Sequence, residues 1–265
     1  MKDLAPQATG DLDDLISGLS SPIDIDEAVH EARTGIKRLR AFVRLARVSI
    51  GTDTYRIENG SLRDAARLIA PARDARVLID TAASEDAVST VAAVLEGAHA
   101  DAIDTLEAGV RMETIRLLEL TASRWRHLAW SGPPLSSIRI GLRKTYRRGR
   151  ADYATVLAEP TADAFHGWRR RVKYLRYQLQ AIKAPDASVA TYTDLGDHLG
   201  LEHDHTVLIG VCASFPGDAD FADLARRSTG RRAELRSLAL DLGSRLFVAL
   251  PDHFVGSVEE TVNLG

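Results

Sequence analysis

One basic and apolar sequence pattern occurs twice in the chain: residues 29–43 read VHEARTGIKRLRAFV, and residues 165–179 read FHGWRRRVKYLRYQL. Both contain the pattern His-x2-Arg-x3-Lys-x-Leu-Arg, and the second copy lies 136 residues after the first. A second match follows downstream at an offset of 130, where Asp74-Ala-Arg-Val-Leu78 corresponds to Asp204-His-Thr-Val-Leu208. Internal matches of this kind indicate that the chain arose by duplication of one helical unit.

The repeated pattern places charged and apolar side chains on separate faces of a helix. At about 100° per residue, one sector holds the basic positions of the first copy, which are Arg33, Lys37, Arg40, Arg44 and Arg47. A second sector holds its apolar positions, which are Ala32, Ile36, Leu39, Val43 and Ala46. The second copy repeats the basic stripe at His166, Arg169, Lys173 and Arg176. Like charges at this spacing destabilise a helix by about a few tenths of a kcal/mol per pair, so the doubled stripe favours a bound anion, with similar contributions from both copies.

The net charge of the 265-residue chain is only −3, but the charge is unevenly distributed. Residues 1–31 contain eight acidic residues and a single base, Lys2. Four later blocks hold 23 of the 34 Lys and Arg residues, and they span residues 33–47, 139–150, 166–183 and 226–236. Segregated cations favour a local positive field that binds a polyanion. The alternative is four solvated helix faces that point in unrelated directions.

Helical periodicity dominates the chain, and no run of strand-forming residues with hairpin turn signals is present. A helix is predicted over residues 24–49, with Asp24 and Glu27 forming a capping box at its start. A further helix is predicted over residues 61–80, and Pro71 is expected to kink or break it.

The remaining segments read as helices separated by breaks. Residues 84–130 are predicted as one long helix or as two helices broken near Gly97, and Ser131-Gly-Pro-Pro134 marks the boundary between the halves. After this boundary, helices are predicted over residues 135–159, 161–184, 188–213, 218–249 and 251–262. The chain therefore divides into an acidic N-terminal segment, a first helical repeat and a second helical repeat, over residues 1–23, 24–132 and 133–265.

The doubled helix resembles the CHAD family, the conserved histidine α-helical domains. Three further segments are similar to later helices of that family, and they are Leu68–Asp74, Leu195–Asp204 and Leu242–Phe247. The resemblance covers about residues 24–260. It implies an all-α fold, a duplicated helical unit forming two antiparallel four-helix bundles with pseudo-two-fold symmetry. It also implies binding of inorganic polyphosphate in a basic central groove and association with polyphosphate granules, with no cofactor.

The candidate polyphosphate site combines the two stripes with nearby basic residues. Arginine offers forked donors and lysine a mobile point charge, which suits a flexible chain of identical phosphates. The candidate residues are His30, Arg33, Lys37, Arg40, Arg44, Arg73, Arg143, Arg147, His166, Arg169, Arg170, Lys173, Arg176 and His203. We expect His30 and His166 to make binding depend on pH between about 5.5 and 8. Asp74 and Asp204 are interpreted as acceptors that orient the basic side chains.

Two other constellations indicate different functions. One constellation is typical of an RNA-binding surface, although tyrosines at helical spacing more often pack in a core, and it consists of Arg143, Lys144, Arg147 and Arg148 with Tyr146 and Tyr153. A metal site or a metal-dependent phosphohydrolase would use imidazoles and carboxylates of one segment, and these are Asp194, Asp197, His198, Glu202, His203, Asp204 and His205. No metal-binding spacing is present, so a solvated helix surface is the competing interpretation.

The composition of the chain and the motifs that it lacks narrow the class of protein further. No apolar run approaches the roughly 20 residues that span a bilayer, so no membrane partner is expected. The N-terminus Met1-Lys2-Asp3-Leu4 lacks the pattern of a secretory signal. A single cysteine, Cys212, fits a reducing cytoplasm and is predicted to be a small buried apolar residue. Because no nucleophile motif, phosphate loop, dinucleotide fingerprint or zinc spacing is present, we predict a binding module rather than an enzyme.

Overall fold

The computed structural model describes residues 4–128 and 132–262, and every regular element within them is helical. The predicted all-α fold class is therefore confirmed. Within these ranges, no helix combines the length and apolarity needed to cross a membrane.

The helices of each half follow one another with short connections. Those of the first half are α1 (Leu4–Ser20), α2 (Ile25–Ile50), α3 (Thr52–Leu68), α4 (Ala70–Ala83), α5 (Ser89–Thr105) and α6 (Arg111–His127). A π-helical turn over Leu106–Val110 joins α5 to α6. Those of the second half are α7 (Leu135–Ala158), α8 (Ala162–Ala181), α9 (Asp186–Cys212), α10 (Ala219–Leu246) and α11 (Pro251–Val262).

The start of α2 follows from a side-chain cap. The Asp24 carboxylate accepts hydrogen bonds from the backbone N–H groups of Asp26 and Glu27, at 2.8 and 3.1 Å. This satisfies donors that have no partner within the first turn of a helix. The predicted helix over residues 24–49 is therefore confirmed to within a residue at each end, and the predicted helices after the boundary agree with α7–α11 to within three residues.

Two sequence-based predictions in the first half are wrong in detail. The helix predicted to begin at Ser61 begins at Thr52, and the Ser61 hydroxyl instead accepts a hydrogen bond from Arg124 at 2.9 Å. The predicted break at Pro71 is confirmed, because α3 ends at Leu68 and Pro71 lies in the first turn of α4, where its missing N–H is tolerated. The predicted break near Gly97 is misplaced, since the chain deviates at Gly109, with φ at 140°.

The predicted stop at residues 131–134 falls between two helices. Gly132, Pro133 and Pro134 are outside any helix, between the end of α6 and the start of α7. Ser131 and the last two residues of the predicted 84–130 segment lie outside the described residues.

Each half builds its own apolar core, and a third cluster joins them. The first core packs α1, α2, α3 and α6 together, and its largest buried side chains include Leu12, Ile36, Leu62 and Trp125. The second core centres on α7, α8 and α9 and includes Tyr146, Phe165, Trp168 and Leu195. The third joins α4 and α5 to α9 and α10, and it contains Ala82, Leu95, Leu208, Cys212 and Leu224. Cys212 is therefore a buried apolar residue, as predicted.

The two repeated helices, α2 and α8, pack against each other at the centre of the molecule. Leu45 of α2 is fully buried in the core of the second half. The Gln178 side-chain amide of α8 donates a hydrogen bond to the Ala41 carbonyl of α2 at 3.4 Å. This contact sets the two basic stripes beside each other, because each stripe flanks the apolar face that its helix buries.

Candidate anion-binding site

A cavity of about 230 Å³ lies between the two halves, where α2 and α4 face α8 and α9. Its charged and imidazole lining residues are Arg33, Lys37, Arg73, Asp74, His166, Arg169, His203 and Asp204. Val77, Leu78 and Val207 complete the wall. The structure therefore brings six of the fourteen predicted site residues into one cavity, three from each half.

The cavity has more cationic than anionic side chains. Four cations of the lining face only two carboxylates, those of Asp74 and Asp204. Asp74 accepts a hydrogen bond from Arg73 at 3.2 Å and lies 3.8 Å from an Arg33 nitrogen. The Arg33 guanidinium also donates to the Ala66 carbonyl at 2.7 Å, which fixes its direction. Asp74 thus orients two arginines, as the sequence predicted for it.

Arg169 is the most deeply buried cation of this lining. Burial lowers the pKa of Arg169, and the nearby Asp204 carboxylate opposes that effect. Arg169 and Asp204 occupy the repeat positions of Arg33 and Asp74, but only Arg33 and Asp74 approach within ion-pair distance, at 3.8 Å.

Two half-buried lysines have a charge that depends on their surroundings: Lys37 lines the cavity, whereas Lys173 does not line it but interacts electrostatically with Lys37 and Arg169. Burial lowers the pKa of Lys37 to about 7, and the adjacent Arg33 and Arg73 act in the same direction. Burial also lowers the pKa of Lys173 to about 6, with Arg169 and Lys37 as its nearest cations. An amine in this state becomes fully charged when an anion arrives, since opposite charge favours the protonated form.

The histidines of the site form a pair that the sequence did not predict. His166 and His203 bring their Nδ1 atoms to 3.4 Å, with ring centroids 4.5 Å apart. Burial and the neighbouring arginines lower the pKa of both rings, that of His203 to about 3. His30 does not reach the cavity, because it lies exposed in the first turns of α2, one turn before Arg33.

Other predicted residues lie beyond the cavity on the same two helices. Arg40 donates to the Asn59 side-chain oxygen at 3.3 Å, and Arg44 donates to the same oxygen at 3.4 Å. On α8, Arg176 lies 3.5 Å from the Asp197 carboxylate and stacks over the Tyr177 ring at 4.6 Å. These residues extend the stripes but do not line the cavity.

The structure does not bring the remaining predicted cations to this cavity. Arg143 donates to Asp252 of α11 at 3.0 Å, on the far side of α7. Arg147 and Arg170 are exposed on α7 and α8, and neither lines the cavity. Adjacent residues on a helix point about 100° apart, so a basic block on one helix cannot all face the same groove.

The fourth basic block, residues 226–236, is largely neutralised within its own surroundings. Arg226 and Arg227 both pair with Asp223, and Arg231 pairs with Glu234. Arg236 donates to the buried Glu202 carboxylate at 2.8 Å. This block therefore matches the alternative of a solvated helix face and is not expected to contribute to a positive field.

The tyrosines considered for RNA binding belong to the core. Tyr146 is fully buried, stacks on Phe254 with centroids 4.0 Å apart, and donates its hydroxyl hydrogen to the Leu246 carbonyl at 2.9 Å. Tyr153 packs against Trp168 with centroids 5.0 Å apart. Neither ring is free to stack on a base, so the core-packing interpretation holds.

The imidazoles and carboxylates of residues 194–205 do not converge. Glu202 is buried against Arg236, Asp197 pairs with Arg176, and the nearest carboxylate to His205 is Glu85, at 3.9 Å. Among the described residues, no three side chains of metal-ligating type form a group that could hold an ion. His205 is also only 3% exposed, so the competing interpretation of a solvated helix surface is wrong at that position.

Comparison with known proteins agrees with this architecture. A family model described as "CHAD domain" matches residues 11–213, a range that contains both copies of the repeat. The chain is also similar to the crystal structure of the CHAD domain from the plant Ricinus communis, with a TM-score of 0.57 and 15% sequence identity. That similarity covers 99% of this chain and 90% of the plant chain, and it concerns the fold alone. No curated protein matches the sequence.

Proposed function

The chain belongs to the CHAD domain family, and from this premise we propose that it binds inorganic polyphosphate. The ligand lies in the cavity between α2, α4, α8 and α9. It is held by charge and hydrogen bonds, with neither a cofactor nor turnover. Through this binding the protein associates with polyphosphate granules in the cytoplasm.

The observation that carries this proposal is the unbalanced cation cluster inside the cavity. Arg33, Arg73 and Arg169 present guanidinium groups to one space, and guanidinium forks match the oxygens of a phosphate. Lys37 adds a mobile charge at the same wall. A partly desolvated site strengthens each of these attractions relative to bulk water. The two carboxylates of the cavity are too few to pair with all four cations, whereas a chain of phosphates offers a partner to each of them.

We infer that the halves are two antiparallel four-helix bundles related by a pseudo-two-fold axis through this cavity. Supporting this, α2 and α8 carry the two copies of the repeat and pack against each other. The interrupted pair α3 and α4 corresponds to the continuous α9, and the interrupted pair α5 and α6 to the continuous α10. With α1 assigned to the first bundle, as the counterpart of α7, the bundles span residues 4–128 and 135–246, and α11 follows the second bundle and packs on α7.

The test of this function is calorimetric titration with long-chain polyphosphate at two salt concentrations. Wild-type affinity is expected to fall steeply with salt, because each phosphate contact releases counterions. The double variant Lys37→Gln with Arg73→Gln should lose at least about tenfold in affinity, since hydrogen bonds to charged groups are worth about 1.5–3 kcal/mol each.

The matched control removes the same charge from the self-paired basic block. Arg226→Gln with Arg231→Gln should leave affinity within about twofold, because exposed ion pairs contribute little. Equal losses in both double variants would contradict the cavity assignment. Single-stranded RNA serves as competitor, and RNA that displaces polyphosphate at equal phosphate concentration would instead favour a general phosphate-backbone binder.

A further inference from the structure

A second basic pocket, of about 80 Å³, lies where α2 crosses α7 and α8. Its cationic lining residues are Arg44, Arg47, Lys144, Arg148 and Arg171. None of the residues that line it is a carboxylate. It is separate from the central cavity, with which it shares no lining residue.

Two tyrosines hold the arginines of this pocket in place. The Arg44 guanidinium stacks over the Tyr174 ring at 4.3 Å and donates to the Tyr55 hydroxyl at 2.9 Å. Arg47 lies over the Tyr55 ring at 4.7 Å. Cation–π contacts orient a guanidinium without neutralising it. The tyrosines therefore pre-order two full positive charges, which lowers the entropy lost on binding an anion.

The charge of this pocket is only slightly compensated. Arg171 donates to the Asp152 carboxylate at 3.1 Å. For Arg44, Arg47, Lys144 and Arg148, no carboxylate of the described residues forms an ion pair. Burial lowers the pKa of Lys144, and the nearby Arg47 and Arg148 lower it further.

A continuous row of cations connects the pocket to the central cavity. Lys37 lines the cavity, Arg44 lines the pocket, and Arg40 lies between them on the same face of α2. The distance from Lys37 to Arg44 along the helix axis is about 10 Å. Asn59 accepts hydrogen bonds from both Arg40 and Arg44, which holds the two side chains on the same side of α2.

The matching junction on the other side of the molecule has a different composition. The repeat offset places Gln180 where the first copy has Arg44, and Arg38 where the second copy has Tyr174. Both line a cavity of about 390 Å³ between α1, α2 and α8, together with the Asp11 carboxylate. Lys183, the counterpart of Arg47, lies beyond the end of α8. One cation and one carboxylate replace five cations, so this junction does not attract a phosphate chain.

We propose that the pocket between α2, α7 and α8 is a second phosphate subsite, and that a bound polyphosphate leaves the central cavity on this side only. The inference rests on the proposed function and adds a direction and a length requirement to it. A chain too short to reach Arg44 from Lys37 uses the central cavity alone. The duplicated halves then contribute unequally, unlike the similar contributions expected from the repeat.

The test compares tripolyphosphate with long-chain polyphosphate by calorimetry. Lys144→Gln with Arg148→Gln should weaken long-chain binding by about tenfold and leave tripolyphosphate binding within about twofold. The matched control, Arg38→Gln with Lys183→Gln, removes one cation from the opposite junction and one from just beyond the end of α8, and it should leave both ligands within about twofold. Circular dichroism checks that helical content is retained, since all four side chains are at least partly exposed.

The outcomes distinguish a failure of the second phosphate subsite from a failure of polyphosphate binding itself. Unchanged long-chain binding in Lys144→Gln with Arg148→Gln overturns the subsite, and so does an equal loss for both ligands. An equal loss in the control overturns the one-sided path. Wild-type protein that binds neither phosphate ligand contradicts polyphosphate binding as a whole, which is a different result.

Discussion

At the scale of single residues, we expect Lys37 and Lys173 to determine how the proposed polyphosphate binding depends on pH. Their pKa values of about 7 and about 6 lie far below that of a solvated lysine, because both amines are buried among arginines. A bound polyanion raises these pKa values. Above about pH 6 the complex therefore holds more protons than the free protein, and affinity falls as pH rises toward about 9.

Proton uptake on binding is measured by repeating the titration at pH 7.5, a value chosen above both lysine pKa values, in buffers of different ionisation enthalpy. Lys37→Arg with Lys173→Arg should abolish most of this uptake, because arginine stays charged throughout. Lys183→Arg, at an exposed position outside the cavity, is the control and should change nothing. Uptake that persists in the double variant would assign the pH dependence to His166 and His203 instead.

The same lysines affect the free protein in the opposite direction. Their folded-state pKa values are depressed, so the unfolded chain binds more protons between about pH 6 and pH 10. Folding stability without ligand therefore rises with pH across this window, while affinity falls. The sequence predicts that His30 and His166 set the pH response; of these two residues, His166 lines the cavity, whereas His30 is exposed and lies outside it.

At the scale of elements, α10 contains two glycines with contrasting surroundings. A Cβ atom at Gly243 would lie 2.6 Å from the Tyr153 ring and 2.7 Å from the Trp168 ring, which are packed in the second core. At Gly230 nothing lies within 4 Å. Gly243→Ala should therefore lower the free energy of unfolding by about 1–3 kcal/mol, whereas Gly230→Ala should raise it by up to about 1 kcal/mol.

Urea denaturation of the two single variants measures both effects. Because the substitutions are chemically identical and lie in one helix, the difference between them reports the packing of α10 on α8. Two changes of the same sign would show that α10 does not approach Trp168 as closely as described.

The helices that the sequence located best are those with strong local signals. The Asp24 cap and the repeated apolar face define α2, and the second copy of the repeat defines α8. The start of α3 has no such signal, because Gly51 at its N-cap provides no side-chain hydrogen bond to the first turn. Gly97 and Gly109 look alike in sequence, and only the fold determines which one adopts a positive φ.

Part of the candidate site was predictable because its residues, too, follow a strong local pattern in the sequence. Helical spacing placed Arg33, Lys37 and Arg169 on stripes, and they meet in the cavity. Helical spacing did not predict that Lys144 lines a basic pocket while its neighbour Arg143 pairs with Asp252 of α11. That difference depends on which side of α7 faces α11. Nor did helical spacing predict that His203 would approach His166, because that pairing joins two different helices.

At the scale of the whole molecule, function depends on where charge lies rather than on its sum. A chain with a net charge of −3 concentrates cations along α2, α7 and α8, where the two halves meet. Asp11, Asp13 and Asp14 lie on α1, which packs on α2 and α6 with Leu12 and Leu19 in the first core. Segregation of this kind lets an overall acidic protein attract a polyanion to one groove.

The most direct measurement of the central claim is a crystal structure of the protein with polyphosphate. We expect a row of phosphate groups between Arg33, Lys37, Arg73 and Arg169, extending along α2 toward Arg44. Phosphates bound only to the exposed arginines of residues 226–236, with the central cavity free of them, would contradict this expectation.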